Sequence, residues 1–375
     1  MQFSISARRR SATVAALTLG LGALAGAGLS PAAVADDGPG TVVAQGLDNP
    51  RLISFGPDGT LYVAESGTGG TSSCAEGPEG GSVCYGTTGA VTQVRNGQQS
   101  RLFSGLPSIA DEGTGGSAIG PSEFFMQPGH QWSLSIGAGI DKAQRAALPA
   151  SASVMGRILS GKIGHKRSSA ADIVAFEWAH NPDHSTDEEG NPTRDSDPQG
   201  FVARGGSYVL ADAGGNTLLR ANRGGQVHTL AVFGTTDVPN PFGPGSIPAQ
   251  AVPTDVVVGP DGAYYVSQLT GFPFAGGAAK IFRVVPGEAP TVYADGLTNV
   301  TSLAWRGNTL YAVQLSNLGL IADGPNGSLV KVTGGVSKVA DLFAPYGLAI
   351  SSGSAYVSTC AVCAGGGSVV RIPLS

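Results

Sequence analysis

Leu52-Ile53-Ser54-Phe55-Gly56-Pro57-Asp58-Gly59-Thr60-Leu61-Tyr62-Val63 reads as an apolar strand, a tight turn and a second apolar strand. Asp-Gly between apolar runs signals a hairpin, because glycine supplies the positive φ that the turn needs. Val256-Val257-Val258-Gly259-Pro260-Asp261-Gly262-Ala263-Tyr264-Tyr265-Val266 repeats the unit closely. Working outward, the unit returns about six times along the chain. Hairpins that cannot bury their own faces imply an array. The recurring order Gly-Leu, Pro, Leu-Tyr-Val favours an all-β, six-bladed β-propeller over an open β-sandwich.

The blades follow from the copies. Blade one starts at Asn49-Pro50-Arg51, with strands expected near 52–56, 60–66, 89–95 and 99–103. Blade two has Phe124-Phe125-Met126 and Trp132-Ser133-Leu134 as its inner hairpin, followed by an insertion from about 141 to 197. Blades three and four centre on Ser207-Tyr208-Val209-Leu210-Ala211-Asp212 and on the Val256 copy. Blades five and six carry Thr309-Leu310-Tyr311-Ala312-Val313 and Ala355-Tyr356-Val357-Ser358. Blade six runs out after its third strand, Ser368–Ile372, while Thr41-Val42-Val43-Ala44 is spare. The N-terminal strand is therefore expected to complete the last blade and close the ring, which protects two edges.

Composition sets the class. Of 375 residues, 13% are charged, about half the usual ~25%, and Gly 58 with Pro 24 suits many short strands joined by turns. Residues 1–35 read as a signal peptide: Arg8-Arg9-Arg10, an apolar run from Ala12 to Leu29, and Ala33-Val34-Ala35 before Asp36. Residues 36–375 are then one propeller domain, a secreted monomer with no later run long and apolar enough to span a bilayer. A net charge of -5 gives no electrostatic footprint for nucleic acid.

Four cysteines in an exported chain are expected as disulfides, with three connectivities open. The spacing favours local pairs, Cys74–Cys84 and Cys360–Cys363. The alternative is a zinc site made by all four where the first and last blades meet.

In a blade, the start of the first strand and the end of the second meet at one mouth of the channel. That places Arg51, Ser122, Glu123, Gln199, Thr254, Asp255, Asn299 and Tyr346 beside Glu65, Asp212, Gln268, Gln314 and Thr359. Convergent polar groups in a concave site are the default binding-site reading. Glu65, Asp212 and Asp255, with amides around them, form a hard-oxygen set suited to Ca²⁺ or Mg²⁺ in the channel. The alternative is that they only solvate the channel. Asp212-Ala213-Gly214-Gly215-Asn216 is either a ligating turn or simply a tight one. The acidic run holding Asp183, Asp187, Glu188, Glu189, Asp195 and Asp197 reads as a solvated loop, the alternative being a lid or a weak cation site. No G-x-S-x-G elbow, H-E-x-x-H helix or P-loop is present, so no catalytic residue is assigned.

Pro239-Asn240-Pro241-Phe242-Gly243-Pro244-Gly245, Gln268-Leu269-Thr270-Gly271-Phe272-Pro273-Phe274, Ala211–Asn216 and Cys360-Ala361-Val362-Cys363-Ala364-Gly365-Gly366-Gly367 are distinctive stretches. Through them the chain, from about 42 to 372, resembles the ScyD/ScyE family of exported propellers, which is widespread in actinobacteria. The resemblance implies an architecture like that of NHL-repeat and gluconolactonase-like propellers, some of which hold a divalent metal in the channel. It implies no substrate. The chain departs from the family pattern at Ser122-Glu123, where the usual motif has His-Asp, and at Asp197-Pro198-Gln199-Gly200. The first expectation is a ligand-binding propeller. The alternatives are a metal-dependent enzyme, either a lactonase-like hydrolase or one acting on an aromatic precursor, and an extracellular interaction scaffold.

Overall fold

The hairpin quoted first sets the pattern of the whole chain. In the computed structural model, which describes residues 39–77, 81–187 and 189–375, Gly59 sits at φ +77° and its N–H donates to Gly56 O at 3.0 Å. The Val256 copy closes identically, with Gly262 at φ +81° donating to Gly259 O at 2.9 Å. The export segment read at 1–35 and Glu188 lie outside the described residues.

The fold is all-β. Among the described residues, six antiparallel sheets of four or five strands follow one another along the chain, with a small two-stranded ribbon, Thr236–Pro239 with Ser246–Ala249, between the third and fourth. Their innermost strands are Pro50–Phe55, Pro121–Gln127, Pro198–Arg204, Pro253–Val258, Val300–Arg306 and Leu348–Ser351. Each packs beside the next, and the sixth packs beside the first. Among the described residues no hydrogen-bonded sheet closes on itself. The expected partner of the last sheet is present: Thr41–Leu47 pairs antiparallel with Gly367–Pro373.

The apolar core lies between sheets, which explains why both faces of the inner strands are apolar. Tyr62, Phe124 and Trp132 join the first and second sheets. Ile158, Phe201 and Tyr208 join the second and third, and Val209, Val256 and Val266 the third and fourth. Tyr265, Leu303 and Leu310 continue the series, then Tyr311, Leu348 and Val357, and Leu47, Ile53 and Val63 return it to the first sheet. A single hairpin has nothing to cover these faces, so each sheet depends on its neighbours.

Two regions differ from the sequence reading. The stretch taken as an insertion after blade two contains that sheet's outer strands, Arg157–Lys162 and Ser168–Asp172. Their short sequences, Arg-Ile-Leu-Ser-Gly-Lys and Ser-Ser-Ala-Ala-Asp, carry almost no alternation to mark them. Two short helices flank them, Lys142–Ala147 and Ile173–His180, capped by Asp141 and Asp172. In the first sheet, the outer strands extend to Ser82–Arg95 and Gln98–Asp111 and carry an added strand, Ser72–Glu76. Both local disulfides, Cys74–Cys84 and Cys360–Cys363, are formed, so the four-cysteine zinc alternative falls. No helix among the described residues is long and apolar enough to cross a membrane.

Candidate functional site

The register sets the expected second-strand mouth positions opposite the first residues of the inner strands, each next to an expected first-strand position: Glu65 faces Pro50, Asp212 faces Pro198, Gln268 faces Pro253 and Gln314 faces Val300. What these polar side chains do is mostly structural. Glu65 is fully buried, accepts from Asp48 N at 2.8 Å and from the Thr92 hydroxyl, and pairs with Arg101 at 2.9 Å. Gln314 Oε1 accepts from Thr298 N at 2.8 Å, and Gln268 Oε1 from Lys280 N at 3.1 Å. Asn299, at φ +43°, donates to Leu269 O at 2.8 Å. Asn216 Oδ1 accepts from Val252 N at 3.0 Å. These groups tie loops and neighbouring sheets together.

A second set meets across the axis. Tyr346 Oη donates to Gln199 Oε1 at 2.9 Å, and Ser122 Oγ donates to the same oxygen at 2.7 Å. Arg51 stacks over the Tyr346 ring at 4.6 Å and donates to Ala118 O. Burial pushes the Tyr346 phenol up to about 12, so it stays a donor at ordinary pH. Thr254 turns instead to Val300 O at 2.8 Å, and Thr359 meets Ser368 at 2.8 Å.

One residue further along the inner strands come Glu123 and Asp255. Both line a cavity of about 520 Å³ that runs along the later halves of all six inner strands. Its walls are largely apolar, with Ile53, Phe125, Val256, Leu303, Trp305 and Leu348 among them. The space therefore lies toward the hairpin turns, on the far side of the Tyr346–Gln199 contact from the expected mouth. Glu123 Oε2 accepts from Phe201 N at 2.5 Å. Asp255 accepts from Val256 N at 2.7 Å and from Ser302 Oγ and Leu303 N, both at 2.8 Å. Burial holds the Glu123 carboxyl well above its ordinary range, and Asp255 adds to it. Burial also raises Asp255 to about 6, against its three hydrogen bonds. Beside them, Gly200 and Gly347 leave no room for a side chain. A Cβ on Gly200 would stand 2.5 Å from Asp255 Oδ1, and one on Gly347 2.4 Å from Arg51 O.

The hard-oxygen trio does not assemble. Glu65 turns outward to Arg101, Asp255 binds the fifth sheet, and Asp212 binds Ser196 Oγ at 2.8 Å and Asp197 N at 2.6 Å. Among the described residues, only Cys74, Cys84 and Glu112 have ligand atoms mutually within 4.8 Å, and those cysteines are oxidised to a disulfide.

The acidic run also departs from the solvated loop expected. Asp183 accepts from Asn216 Nδ2 at 2.8 Å, and Asp197 accepts from Ala138 N at 2.9 Å and from Gln199 Nε2 at 2.7 Å. Asp195 is raised to about 6 by burial and Asp212 to about 7 by burial, against the Asp197 N–H. Sequence reasoning missed Glu177 altogether. It is pushed up to about 9 by burial, with Asp212, Asp183 and Asp195 adding. The available signal was a lone carboxylate in the apolar run Ile173-Val174-Ala175-Phe176-Glu177-Trp178.

Comparison with solved structures supports the propeller architecture. A glucose dehydrogenase aligns over 89% of this chain and 99% of its own at 12% identity, with a TM-score of 0.51. Virginiamycin B lyase from Staphylococcus aureus, an inactive variant with quinupristin, aligns over 87% and 95% at 12% identity, TM-score 0.46. A streptogramin B lyase aligns over 88% and 95% at 11%, TM-score 0.48. At these identities the likeness extends to the fold alone. No family model and no curated protein matches the sequence.

Proposed function

We propose that the chain is an exported, six-bladed propeller of the ScyD/ScyE kind, closed by its N-terminal strand, and that it binds a small molecule in the central well. The observation that carries this reading is the pair Glu123 and Asp255, buried at one end of a cavity whose other lining residues are mostly apolar. Burial holds Glu123 well above its usual range and raises Asp255 to about 6, so the pair is two buried carboxyls that resist ionisation to different extents. That combination fits a ligand with an apolar body and one cationic or hydrogen-bond-donating end. The two disulfides are compatible with an oxidising destination.

An enzymatic reading rests on the same pair, since two carboxyls whose environments push them apart can act as acid and base. It adds no step that the geometry specifies. The test is a thermal-shift and calorimetric screen of aryl and alkyl amines against neutral isosteres of the same shape. Amines are expected to bind, and Asp255→Asn to weaken them at least tenfold. Equal binding of both sets, or none at millimolar concentration, would overturn the assignment. Product formation from a hit would favour the enzymatic reading.

A further inference from the structure

Away from the well, the turn 212–216 lies beneath the helix Ile173–His180 and the loop that follows it. Glu177 projects from that helix, is 1% exposed, and its Oε2 has no hydrogen-bond partner. A buried, unpartnered carboxylate oxygen is costly and points to something that completes it. Its surroundings are oxygen-rich. A Cβ on Gly215 would stand 2.6 Å from Glu177 Oε2 and 3.2 Å from Asp212 Oδ2. One on Gly214 would stand 2.9 Å from both Asp195 Oδ2 and the Asp195 carbonyl. Neither glycine has a positive φ, so what they supply is room rather than a special backbone conformation. Thr217, opposite Asp212 in the strand register, also has a buried hydroxyl without a partner.

No arginine or lysine among the described residues comes within 4.0 Å of Glu177, Asp183, Asp195 or Asp212. Arg194, the nearby cation, lies over the Trp178 ring at 5.6 Å. Asn181, with its amide nitrogen turned inward, reaches Glu177 Oε1 at 3.3 Å and Asp183 Oδ1 at 3.0 Å, and leaves Oε2 free.

We propose that this space is a site for one divalent cation, with Glu177, Asp212 and Asp195 as its carboxylate ligands. Ca²⁺ suits it better than Mg²⁺. Ca²⁺ accepts irregular sets of about 6–8 oxygens, carbonyls included, whereas Mg²⁺ demands near-ideal octahedral geometry. The carboxylates are not all within 4.8 Å of one another, so binding draws them together against their mutual repulsion. The site joins the second sheet's helix to the third sheet's turn, and its ion would clamp the two. It is independent of the well.

The full chain, stripped with chelator, is titrated with CaCl₂ and MgCl₂ by calorimetry and followed by thermal unfolding. One Ca²⁺ site is expected, with the melting temperature raised by roughly 3–6 °C at one hundred times the dissociation constant. Glu177→Gln should weaken Ca²⁺ at least tenfold without lowering the ion-free melting temperature, since glutamine keeps the shape of the side chain and brings no charge to bury. Gly215→Ala, should Glu177→Gln fold poorly, is expected to block binding by filling the space. Absence of heat and of any melting shift at millimolar Ca²⁺ or Mg²⁺ overturns the proposal. So does wild-type affinity in folded Glu177→Gln, or loss of the ion in Asp255→Asn with retention in Glu177→Gln.

Discussion

Asp255→Asn should change the pH dependence of stability in a direction fixed by the burial of this carboxyl. The folded-state value of about 6 lies above the ordinary 3.8. The folded chain therefore binds the proton more tightly than the unfolded chain, and Asp255 destabilises the fold progressively as pH rises from 3.8 to 6. Two units correspond to about 3 kcal/mol, of which about 2–3 kcal/mol develops between pH 4 and 7.5. Asparagine carries no such penalty. Its oxygen can keep Ser302 and Leu303, but its amide faces the Val256 N–H, a lost hydrogen bond costing about 1–3 kcal/mol at every pH. The variant should thus be clearly less stable than wild type at pH 4 and close to it at pH 7.5. Asp255 is also what raises Glu123 beyond its burial, so its removal eases Glu123 ionisation and works in the same direction. Urea unfolding of both proteins at pH 4, 6 and 7.5 measures the difference directly. A gap that stays constant, or widens with pH, would show that Asp255 is solvated and ionised as usual, and the account of the well floor would fail.

Three further outcomes follow from particular contacts. Cys74→Ser should lower the melting temperature more than Cys360→Ser, because the bridges join residues 10 and 3 apart in sequence; the chain-entropy model assigns about 2.8 and about 1.9 kcal/mol to such loops. Equal losses, or non-reducing peptide maps joining the two pairs crosswise, would contradict this. Arg101→Met should cost about 2–3 kcal/mol by leaving buried Glu65 without its cation, less than the ~3–5 of a fully buried pair because Arg101 is 43% exposed; adding Glu65→Gln should recover most of the loss in denaturant midpoints, and no recovery would speak against the ion pair. Gly347→Ala should destabilise by about 1–3 kcal/mol through overpacking, whereas Gly234→Ala, with nothing within 4 Å, should be near neutral; similar midpoints for the two would refute the close approach at Gly347.

Much of the fold was legible because its information is local and repeated. The turn at Gly59 and its copy at Gly262 are set by two residues each, and the strands beside them are short, near-continuous apolar runs buried on both faces. The N-terminal partner of the last sheet was legible by elimination, since one sheet lacked a strand. Arg157–Lys162 and Ser168–Asp172 were not, because their pairing is decided by tertiary context. The site was less legible for a geometric reason. Sequence places polar groups at strand ends but does not say whether they face the axis or the next sheet. Glu65, Gln268, Asn299 and Gln314 all turned to backbone groups beside them. Glu123 and Asp255 were read as mouth residues, whereas the cavity they line extends toward the hairpin turns.

That reversal has a physical basis in the order of side chains along the inner strands. Arg51, Ser122, Gln199 and Tyr346 are long or well-partnered enough to reach one another, so hydrogen bonds join residues across the axis at this level. At the next level stand Glu123 and Asp255 among Gly200 and Gly347, so two sheets contribute a carboxyl and two contribute no side chain at all. Beyond it the residues become Ile53, Val256, Leu303 and Leu348. A channel that only needed solvating would place its ionisable groups at the water-exposed end, where ionisation costs little. Here they sit behind a mostly apolar sleeve, where burial raises the cost of charge on both, Asp255 adds to it for Glu123, and neither has an ion-pair partner among the described residues. Hydrogen bonds from Phe201, Ser302 and Leu303 hold both carboxyls in fixed positions on inner strands. Groups kept at such cost and so firmly oriented are the ones to test first for a ligand.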